Sequence, residues 1–386
     1  MPELSVNSQL LFTAIVFWLF ALHPFITYPA SLFAAKSVYS FFRKATAERG
    51  SAPTSVAICF TAYNEAAALP SKIANLQELC ARGGSGRVQA YAYTDGCTDR
   101  SEALLRDSGA CIEVIAGTEN RGKSHGLNML VARAQENIVV FTDANVIFAD
   151  DAITRLLNYF SDPSVGCVCG RLEYVNQDAG ATAHVGGLYW RLEESVKQLE
   201  SDTGNVMGAD GSIFAIRREL FEPIPVSALP DMFVSFAVLF KGFRIVSAPD
   251  VVAYERSATD RTEEFARKIR IACRAFNYHR AHWPELRTMS AWDLYKYLSH
   301  KLLRWLSFLW LTVALMLTLV AAFKLPVALA LGAVLAAAAI VAYRFEIPLL
   351  GKAATILAAM LATALGVAQS LRGRSYVAWR PAGTAR

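Results

Sequence analysis

Charged residues are scarce in this chain and are missing altogether from four long stretches. Asp, Glu, Lys and Arg make up 18% of the 386 residues, against 54% that are hydrophobic. The stretches 4–35, 305–323, 325–343 and 353–371 contain no charged residue. A helix of about 19 residues extends for about 28 Å, close to the roughly 30 Å of hydrocarbon in a bilayer. The composition excludes a disordered or collagen-like chain and argues against a purely soluble enzyme. It predicts a soluble domain between membrane segments.

The first apolar stretch lacks the marks of a cleaved signal peptide. No basic segment precedes it and no small-x-small cleavage site follows it, and it contains Pro24 and Pro29. We therefore expect an N-terminal membrane anchor rather than a leader that is removed.

Basic residues cluster where the apolar stretches meet the central part of the chain. They are Lys36, Arg43, Lys44 and Arg49 after the first stretch and Lys296, Lys301 and Arg304 before the second. By the positive-inside rule, this pattern predicts that the central domain faces the cytoplasm. Arg372, Arg374, Arg380 and Arg386 obey the rule only if one of the later stretches does not cross. Because the net charge is only +5, acidic lipid headgroups account for these residues better than nucleic acid does.

Paired cysteine motifs are also missing. None of the seven cysteines lies in a CxxC pair, the spacing typical of zinc and redox sites. An odd number of scattered cysteines is typical of a protein in a reducing compartment. We therefore expect free thiols and no zinc site.

From about residue 50 to residue 285, apolar β-type segments alternate with helical ones. The apolar segments are SVAICF, VQAYAY, CIEVIA and IVVFTD. This succession predicts βαβ units, and the nearly continuous apolar runs predict a mostly parallel sheet covered by helices on both faces. In such α/β folds the ligand lies beyond the carboxyl ends of the strands.

Acids and amides follow three of these predicted strands. The segments are Thr61 to Glu65, Thr94 to Asp99, and Asp143 to Asn145. Such groups at several strand ends predict a polar ligand with hydroxyls, a divalent metal, or both. Local alternatives exist, since Asp99 with Glu102 fits a helix capping box and Asp95-Gly96 fits a turn.

The segment after the third predicted strand fits two kinds of phosphate site. Gly117 to Ser124 matches the P-loop pattern GxxxxGK[ST]. The overlapping segment Asn120 to Asn128 also fits a turn into a helix whose lysine meets a diphosphate in another fold. Both interpretations make Lys123 a phosphate contact.

Together these segments resemble the motifs of the family 2 inverting glycosyltransferases of nucleotide-sugar type, in particular membrane-embedded hyaluronan, chitin and poly-N-acetylglucosamine synthases. The resemblance covers residues 54 to about 280. The segment Asp95-Gly-Cys-Thr-Asp99 is similar to DGSxD, and 120–128 is similar to NxGKxxALN. Asp143-Ala-Asn145 takes the place of the metal-binding DxD, with an amide replacing the second acid.

The later motifs of this family are less well preserved. Its catalytic base is the Asp of TED, eleven residues before a glycine that opens the next strand. Gly242 matches that glycine, and the spacing leads to Asp231, although Leu229 and Pro230 replace Thr and Glu. A cap of the following helix would also explain Asp231.

The arginine motif of the processive members, QxxRW, is changed in two places. Arg267 stands for Gln, Arg270 matches the arginine, and Ile271 stands for Trp. A basic helix face on anionic lipid is the alternative explanation.

The resemblance assigns expected roles to each of these residues. The donor nucleotide would contact Tyr63, Glu65, Asp95, Lys123 and Asp143, a Mg²⁺ or Mn²⁺ ion would bind Asp143 and Asn145, Asp231 would be the base, and Arg270, Arg267, Gly208, Asp210 and Gly211 would lie on the diphosphate and acceptor side. The implied fold is GT-A, a Rossmann-like α/β domain with a mostly parallel sheet, flanked by transmembrane helices.

The implied protein is a membrane-bound inverting glycosyltransferase at the inner cell membrane. It would cross the membrane several times and move a sugar from a nucleotide sugar, with a UDP-sugar as the expected donor, to a polysaccharide or lipid-linked glycan. Its expected partners include membrane lipids but no nucleic acid. The alternatives are a single-sugar transferase acting on polyprenyl phosphate, a P-loop membrane ATPase, and an inactive family member serving as a partner subunit.

The predicted organisation has five parts. They are an anchor over 1–44, a cytoplasmic glycosyltransferase domain over 45–285, an interfacial helix over 286–300, about three transmembrane helices over 301–371, and a basic tail over 372–386.

Overall fold

The computed structural model describes residues 6–42, 50–82, 87–175, 181–256, 261–323, 325–345, 347 and 350–376. Of the basic residues used to predict the orientation, Arg43, Lys44, Arg49, Arg380 and Arg386 lie outside these ranges.

A sheet of eight strands organises the central part of the chain. The strands are β1 (Ser55–Ala62), β2 (Arg87–Asp95), β3 (Ile112–Gly117), β4 (Ile138–Asp143), β5 (Ile147–Phe148), β6 (Val165–Tyr174), β7 (Ile213–Arg217) and β8 (Arg244–Glu255), in the order β3-β2-β1-β4-β7-β6-β8-β5. Strands β3, β2, β1 and β4 are mutually parallel. Strand β7 runs antiparallel to β4 and β6, β6 is parallel to β8, and β5 is antiparallel to β8. The predicted α/β sheet with mostly parallel strands is confirmed.

Strand β1 shows why the sheet is covered on both faces. Seven of its eight residues are buried, and successive side chains of a strand point to opposite faces. Ala57 and Cys59 therefore join one hydrophobic core, whereas Val56, Ile58 and Phe60 join the other.

Helices connect the strands and cover the sheet. They are α3 (Leu69–Arg82), α4 (Ser101–Arg106), α5 (Lys123–Arg133), α6 (Ala152–Tyr159), α7 (Ala181–Asp202), α8 (Pro230–Phe240), α9 (Arg261–Ala281) and α10 (Trp283–Leu286), with a short 3₁₀ helix at Arg218–Leu220. The helices of the apolar stretches lie before β1 and after α10.

The apolar stretches and the segments next to them form helices, and two pairs of these helices are separated by a sharp bend. They are α1 (Val6–Leu22), α2 (Thr27–Phe42), α11 (Ala291–Tyr297), a π-helical turn (Leu298–Leu302), α12 (Leu303–Trp305), α13 (Ser307–Ala322), α14 (Leu325–Phe345) and α15 (Leu350–Leu371). Helices α14 and α15 are each long and apolar enough to cross a membrane. The first apolar stretch, expected as one anchor, bends by 63° between α1 and α2, and a second bend of 67° separates α12 from α13. Pro24 lies in the first break, and proline cannot supply the amide hydrogen that a helix interior needs.

One expectation about the cysteines is wrong. The structure pairs Cys80 at the end of α3 with Cys111 before β3 in a disulfide. The spacing of 31 residues hides this contact, because α3 and the start of β3 become neighbours only when both pack against β2. Cys167 and Cys169, both in β6, are free and buried.

Candidate active site

The carboxyl ends of β1, β2 and β4 lie at one edge of the sheet. Thr61 of β1 is in register with Asp143 of β4, and Ala62 is in register with Thr94 of β2. The acids and amides that follow these strands therefore share one surface, as the alternation of strands and helices predicts.

Asp95, at the end of β2, supports a neighbouring loop. Its side chain is buried, and its two carboxylate oxygens accept hydrogen bonds from the backbone N–H groups of Arg121 at 2.8 Å and Gly122 at 2.9 Å. Gly96 continues this contact, since it has a positive φ of 68° and donates to the Gly117 carbonyl at 3.1 Å.

This geometry does not fit a P-loop. A P-loop points its backbone N–H groups at phosphates, but Asp95 already accepts those of Arg121 and Gly122. A phosphate would also be repelled by the carboxylate behind them. The segment is instead a turn that leads Lys123 to the start of α5.

The turn after β1 is held by two side chains outside the expected set. Asn64 has a positive φ of 56°, and its Oδ1 accepts from the Thr98 backbone N–H at 2.8 Å. Asp99 accepts from the backbone N–H groups of Ser101 at 2.9 Å and Ala66 at 3.1 Å. Asp99 thus joins the turn after β1 to the start of α4, but the predicted capping box does not form, because Arg100 is the N-cap residue and Glu102 pairs with Arg106.

Glu65 follows this turn and is largely enclosed. Burial, with the negative charges of Asp143, Asp99 and Glu255 around it, raises the pKa of Glu65 to about 7. Near neutral pH its carboxyl group is therefore able to act as a hydrogen-bond donor as well as an acceptor.

Lys123, Asp143 and Asp231 converge at one point above Gly211. The Lys123 ammonium forms an ion pair with Asp143. A Cβ placed on Gly211 would lie 3.6 Å from Lys123 Nζ and 3.6 Å from Asp231 Oδ2. An ammonium and a carboxylate thus flank the same small space, which a side chain at residue 211 would fill.

Asp231 lies in the first turn of α8. One of its oxygens accepts from the Met232 backbone N–H at 2.9 Å. Burial raises the pKa of Asp231, although the Lys123 charge and the Met232 hydrogen bond oppose the rise. A carboxylate with a raised pKa is a stronger base, and the other oxygen points toward the space above Gly211.

Asn145, where a second metal-binding acid was expected, contacts a distant glutamate. Its Nδ2 donates to Oε1 of Glu255, at the end of β8, at 3.0 Å. Burial and the nearby Asp143 raise the pKa of Glu255 to about 7, against the opposing charge of Arg267. Glu255 gave no signal in the sequence, because it lies in no motif and 110 residues separate it from Asn145.

The donor set at Asp143 and Asn145 fits a divalent cation by its chemistry. A carboxylate and an amide carbonyl are oxygen ligands of the kind that Mg²⁺ and Mn²⁺ bind. The Asn145 amide is oriented by Glu255, which leaves its Oδ1 as the atom for a cation. Within the described ranges, no group of three His, Cys, Asp and Glu side chains is placed to hold one ion, so a diphosphate would have to complete the coordination.

The loop of residues 208–212, which we call the acceptor-side loop, contains an acid that forms an ion pair. Asp210 Oδ2 lies 2.8 Å from the buried Lys197 ammonium of α7, and Asp210 Oδ1 accepts from the Ser212 N–H at 3.2 Å. Gly208 has a φ of 92°, which explains the glycine there. Asp210 therefore shapes this loop, while Gly211 borders the space next to Asp231.

The arginines of α9 have different neighbours: Glu255 and Asp143 act on Arg267, whereas Arg267 and Tyr376 act on Arg270. Burial alone would lower the pKa of Arg267, but Glu264 and Glu255 outweigh it and raise the pKa. Burial and the neighbouring Arg267 lower the pKa of Arg270. Arg274, which was not expected, donates to the Ala228 carbonyl just before α8.

Comparison with known proteins identifies the central part of the chain. Residues 57–224 match the model of the family described as glycosyl transferase family 2. The chain is 24% identical over 217 residues to an N-acetylglucosaminyltransferase of Neorhizobium galegae, a match that covers 52% of this chain and 49% of the relative. It is 30% identical over 169 residues to an O-antigen chain rhamnosyltransferase of Salmonella typhimurium, covering 40% and 52% of the two chains. The matches span about half the length of these relatives.

A solved structure extends the likeness of fold to nearly the whole chain. It is a mannosyltransferase of Pyrobaculum calidifontis in complex with GDP-Man and Mn²⁺. It superposes with a TM-score of 0.66 over 95% of this chain and 99% of its own, at 22% sequence identity. The predicted GT-A fold is confirmed, and the match over residues 57–224 supports the predicted family for that part of the chain.

Proposed function

We propose that this chain, which carries a glycosyl transferase family 2 domain, transfers a sugar from a nucleotide sugar to an acceptor at the membrane, with inversion at the anomeric carbon. The observation that carries the proposal is the convergence of Lys123, Asp143 and Asp231 above Gly211. One cation and one base then lie on the two sides of a reacting sugar.

The donor half of the site is built on β1, β2 and β4. Tyr63, Glu65 and Asp95 would hold the nucleoside at the first two strand ends, Asp95 chiefly by fixing the turn before Lys123. Lys123 and Asp143 would hold the diphosphate, directly and through a divalent ion, respectively. Such an ion neutralises charge on a departing diphosphate.

The reaction is a single displacement. The acceptor oxygen forms a bond to the anomeric carbon while the bond from that carbon to the diphosphate oxygen breaks, and the diphosphate leaves with the electron pair. Asp231 accepts the proton of the acceptor hydroxyl, an effect worth roughly 10²–10⁴-fold in rate. Lys123 stabilises the charge on the leaving diphosphate, and Arg270 and Arg267 would support it from α9. Asp210, an acid of the neighbouring acceptor-side loop, is paired with Lys197. This pairing leaves Asp231 as the base and favours inversion over a mechanism with two carboxylates.

The membrane setting rests on the apolar helices. Among the described residues, two helices are long and apolar enough to cross a bilayer, and up to four crossings result if each bent pair is one span. With the positive-inside rule, this supports a multi-pass protein of the inner membrane, in contact with lipids, whose catalytic domain is cytoplasmic. A UDP-sugar is the expected donor, and the acceptor is a polysaccharide or lipid-linked glycan.

Transfer of a single sugar onto polyprenyl phosphate is the second candidate. Ile271 stands where the processive members carry tryptophan, and an altered contact there favours a short product. Product length separates the two candidates, since one added sugar per acceptor would speak against a polymerase.

The decisive experiment compares Asp231→Asn with wild type. Full-length protein in lipid nanodiscs is incubated with Mn²⁺, membrane acceptors and a panel of radiolabelled UDP-, GDP- and dTDP-sugars. We expect Asp231→Asn to lower kcat by roughly 10²–10⁴-fold and to leave nucleotide affinity within about threefold of wild type. The matched control is Asp151→Asn, which removes an exposed acid at the start of another helix, α6.

Two outcomes would overturn the proposal. Equal turnover by Asp231→Asn and wild type would remove Asp231 as the base. Nucleotide-sugar binding by the wild type without transfer of any donor, with every metal tried, would favour an inactive partner subunit.

A further inference from the structure

A buried polar cluster lies outside the candidate active site, where α2, α11 and the π-helical turn, which we call the membrane-end helices, meet α7. We call it the interfacial cluster, and it consists of Tyr28 from α2, Glu193 and Glu200 from α7, Lys296 from α11, and His300 from the π-helical turn. All of these side chains except Glu193, which is nearly buried, are closed off from solvent. Buried charges are costly unless they are paired, so a cluster of this size requires an explanation.

His300 bridges the two glutamates. Its Nδ1 lies 2.7 Å from Glu200 Oε1 and its Nε2 lies 2.9 Å from Glu193 Oε1. The two ring nitrogens of His300 thus join the π-helical turn to two glutamates of α7. Although burial acts to raise the pKa of Glu200, His300 and the Tyr28 hydroxyl outweigh it and lower that pKa.

Lys296 donates hydrogen bonds to three carbonyl groups at the end of α7 and just beyond it. Its ammonium donates to the carbonyl oxygens of Glu200 at 3.0 Å, Thr203 at 3.1 Å and Asn205 at 3.1 Å. An ammonium has three hydrogens to donate, and all three are used. The last carbonyl groups of a helix lack partners within the helix and carry partial negative charge. Lys296 therefore fixes the place where α7 ends.

The segment after α7 leads into the acceptor-side loop. Glu200 Oε2 accepts from the Met207 backbone N–H at 2.9 Å. Two residues later the Ala209 N–H donates to the Ser235 hydroxyl at 3.1 Å, and that hydroxyl donates to the Asp231 carbonyl at 2.7 Å. Two sets of hydrogen bonds, joined by the backbone of residues 207–209, thus connect His300 and Tyr28 through Glu200 to the first turn of α8.

The donor half of the site is built on other elements. Asp95 belongs to β2, Asp143 to β4 and Lys123 to α5. A disturbance of the interfacial cluster should therefore reach the acceptor side first.

We infer that Lys296 and His300 are positioning residues for the acceptor side of the site. They hold residues 200–209 in place, and this segment sets the loop with Gly208 and Gly211 against Asp231. The membrane-end segment 291–301 is then part of the catalytic architecture as well as an attachment to the bilayer. This inference rests on the proposed sugar transfer and specifies which part of the chain sets acceptor geometry.

The test replaces Lys296 with methionine, which is of similar length and has no donor. Full-length protein in nanodiscs is assayed for sugar transfer at varied acceptor concentration, for slow hydrolysis of the donor by water, and for binding of the nucleoside diphosphate by calorimetry. We expect kcat/KM for the acceptor to fall by about 10–100-fold, while nucleotide affinity and donor hydrolysis stay within about threefold of wild type.

The matched control is Lys36→Met. Lys36 pairs with Asp202 at the same end of α7, at 2.8 Å, but its side chain is half exposed, and a surface ion pair contributes little. Transfer by this variant should equal that of wild type.

A second variant keeps the test decisive if Lys296→Met does not fold. Ser235→Ala breaks the same series of contacts at its far end and leaves the interfacial cluster intact. We expect the same selective loss of acceptor kcat/KM, and an unchanged value would overturn the inference. Equal loss of nucleotide binding and acceptor transfer in Lys296→Met would also overturn it, because the role would then be general stability. Absence of transfer by the wild type would refute the proposed function instead.

Discussion

Lys72 is an ammonium-bearing side chain with no exposed surface, and its replacement by methionine has a calculable effect on stability. It lies on α3, where its Nζ donates to the Val146 carbonyl at 2.6 Å and stands 4.4 Å from the ring centre of Phe148. Burial lowers the pKa of Lys72 to about 7, although the charge of Asp143 opposes this. Val146 directly follows Asn145, so this hydrogen bond also holds the turn of the expected metal site.

The sign of the pH dependence follows from the two states. In the unfolded chain Lys72 keeps its proton up to about pH 10.4, its ordinary pKa, whereas the folded chain releases that proton near pH 7. Between these values the unfolded state binds one more proton, so this residue raises the free energy of unfolding as pH rises. The slope is about 1.4 kcal/mol per pH unit, or about 2 kcal/mol between about pH 7.5 and about pH 9.

Lys72→Met removes this slope. The variant also loses the hydrogen bond to Val146, but that loss is a constant offset across the range. We therefore expect the variant to lose stability relative to wild type as pH rises, by about 2 kcal/mol in all. For a domain of this size, the Tm of Lys72→Met should fall by about 4–8 °C relative to the Tm of wild type across this pH range.

The measurement is thermal unfolding of both full-length proteins in the same detergent at several pH values in this range. Lys241→Met is the control, because Lys241 also donates to a backbone carbonyl, that of Leu220 at 3.0 Å, from a partly exposed side chain. A Tm difference between Lys72→Met and wild type that stays constant within about 1 °C would refute the reasoning.

Two further substitutions test the site. Asn128→Leu should lower the free energy of unfolding by about 2–4 kcal/mol, because the Asn128 amide exchanges two hydrogen bonds with the Ile224 backbone, at 2.8 and 2.9 Å, and both backbone groups would lose their partner. Denaturant titration of the full chain measures this loss, and a value below about 0.5 kcal/mol would contradict the prediction. Asn145→Asp should bind Mn²⁺ about tenfold more tightly in calorimetric titration and be less stable without metal at pH 8. The reason for both effects is that a third carboxylate then joins Asp143 and Glu255. An unchanged or weaker Mn²⁺ affinity would show that Asn145 is not a ligand.

Much of the fold followed from local patterns. The alternation of apolar segments with helical ones predicts the parallel half of the sheet, because strands buried on both faces need continuous apolar sequence. It also predicts that Asp95 and Asp143 share one edge. The antiparallel strand β7 inside the sheet did not follow, since strand direction depends on how the connections cross the domain.

The roles within the site were less accessible from sequence. Asp95 was expected to contact the nucleoside, but its motif did not predict that both carboxylate oxygens hold the turn before Lys123. Asp210 was expected on the acceptor side, and its ion pair with Lys197 is a contact that no motif predicts. A motif specifies which residue stands at a position, whereas hydrogen bonding depends on neighbours brought together by folding.

The sequence by itself determined the class of this protein. Uncharged stretches long enough for a bilayer, acids after successive strands, and an aspartate at a set distance from Gly242 are local features, and each is visible in the order of residues. The tertiary structure alone decided which of these groups meet. The bond from Asn145 to Glu255 spans 110 residues and the one from Glu200 to His300 spans 100. Both depend on packing between distant elements, which buries these charges and forces them to find one another.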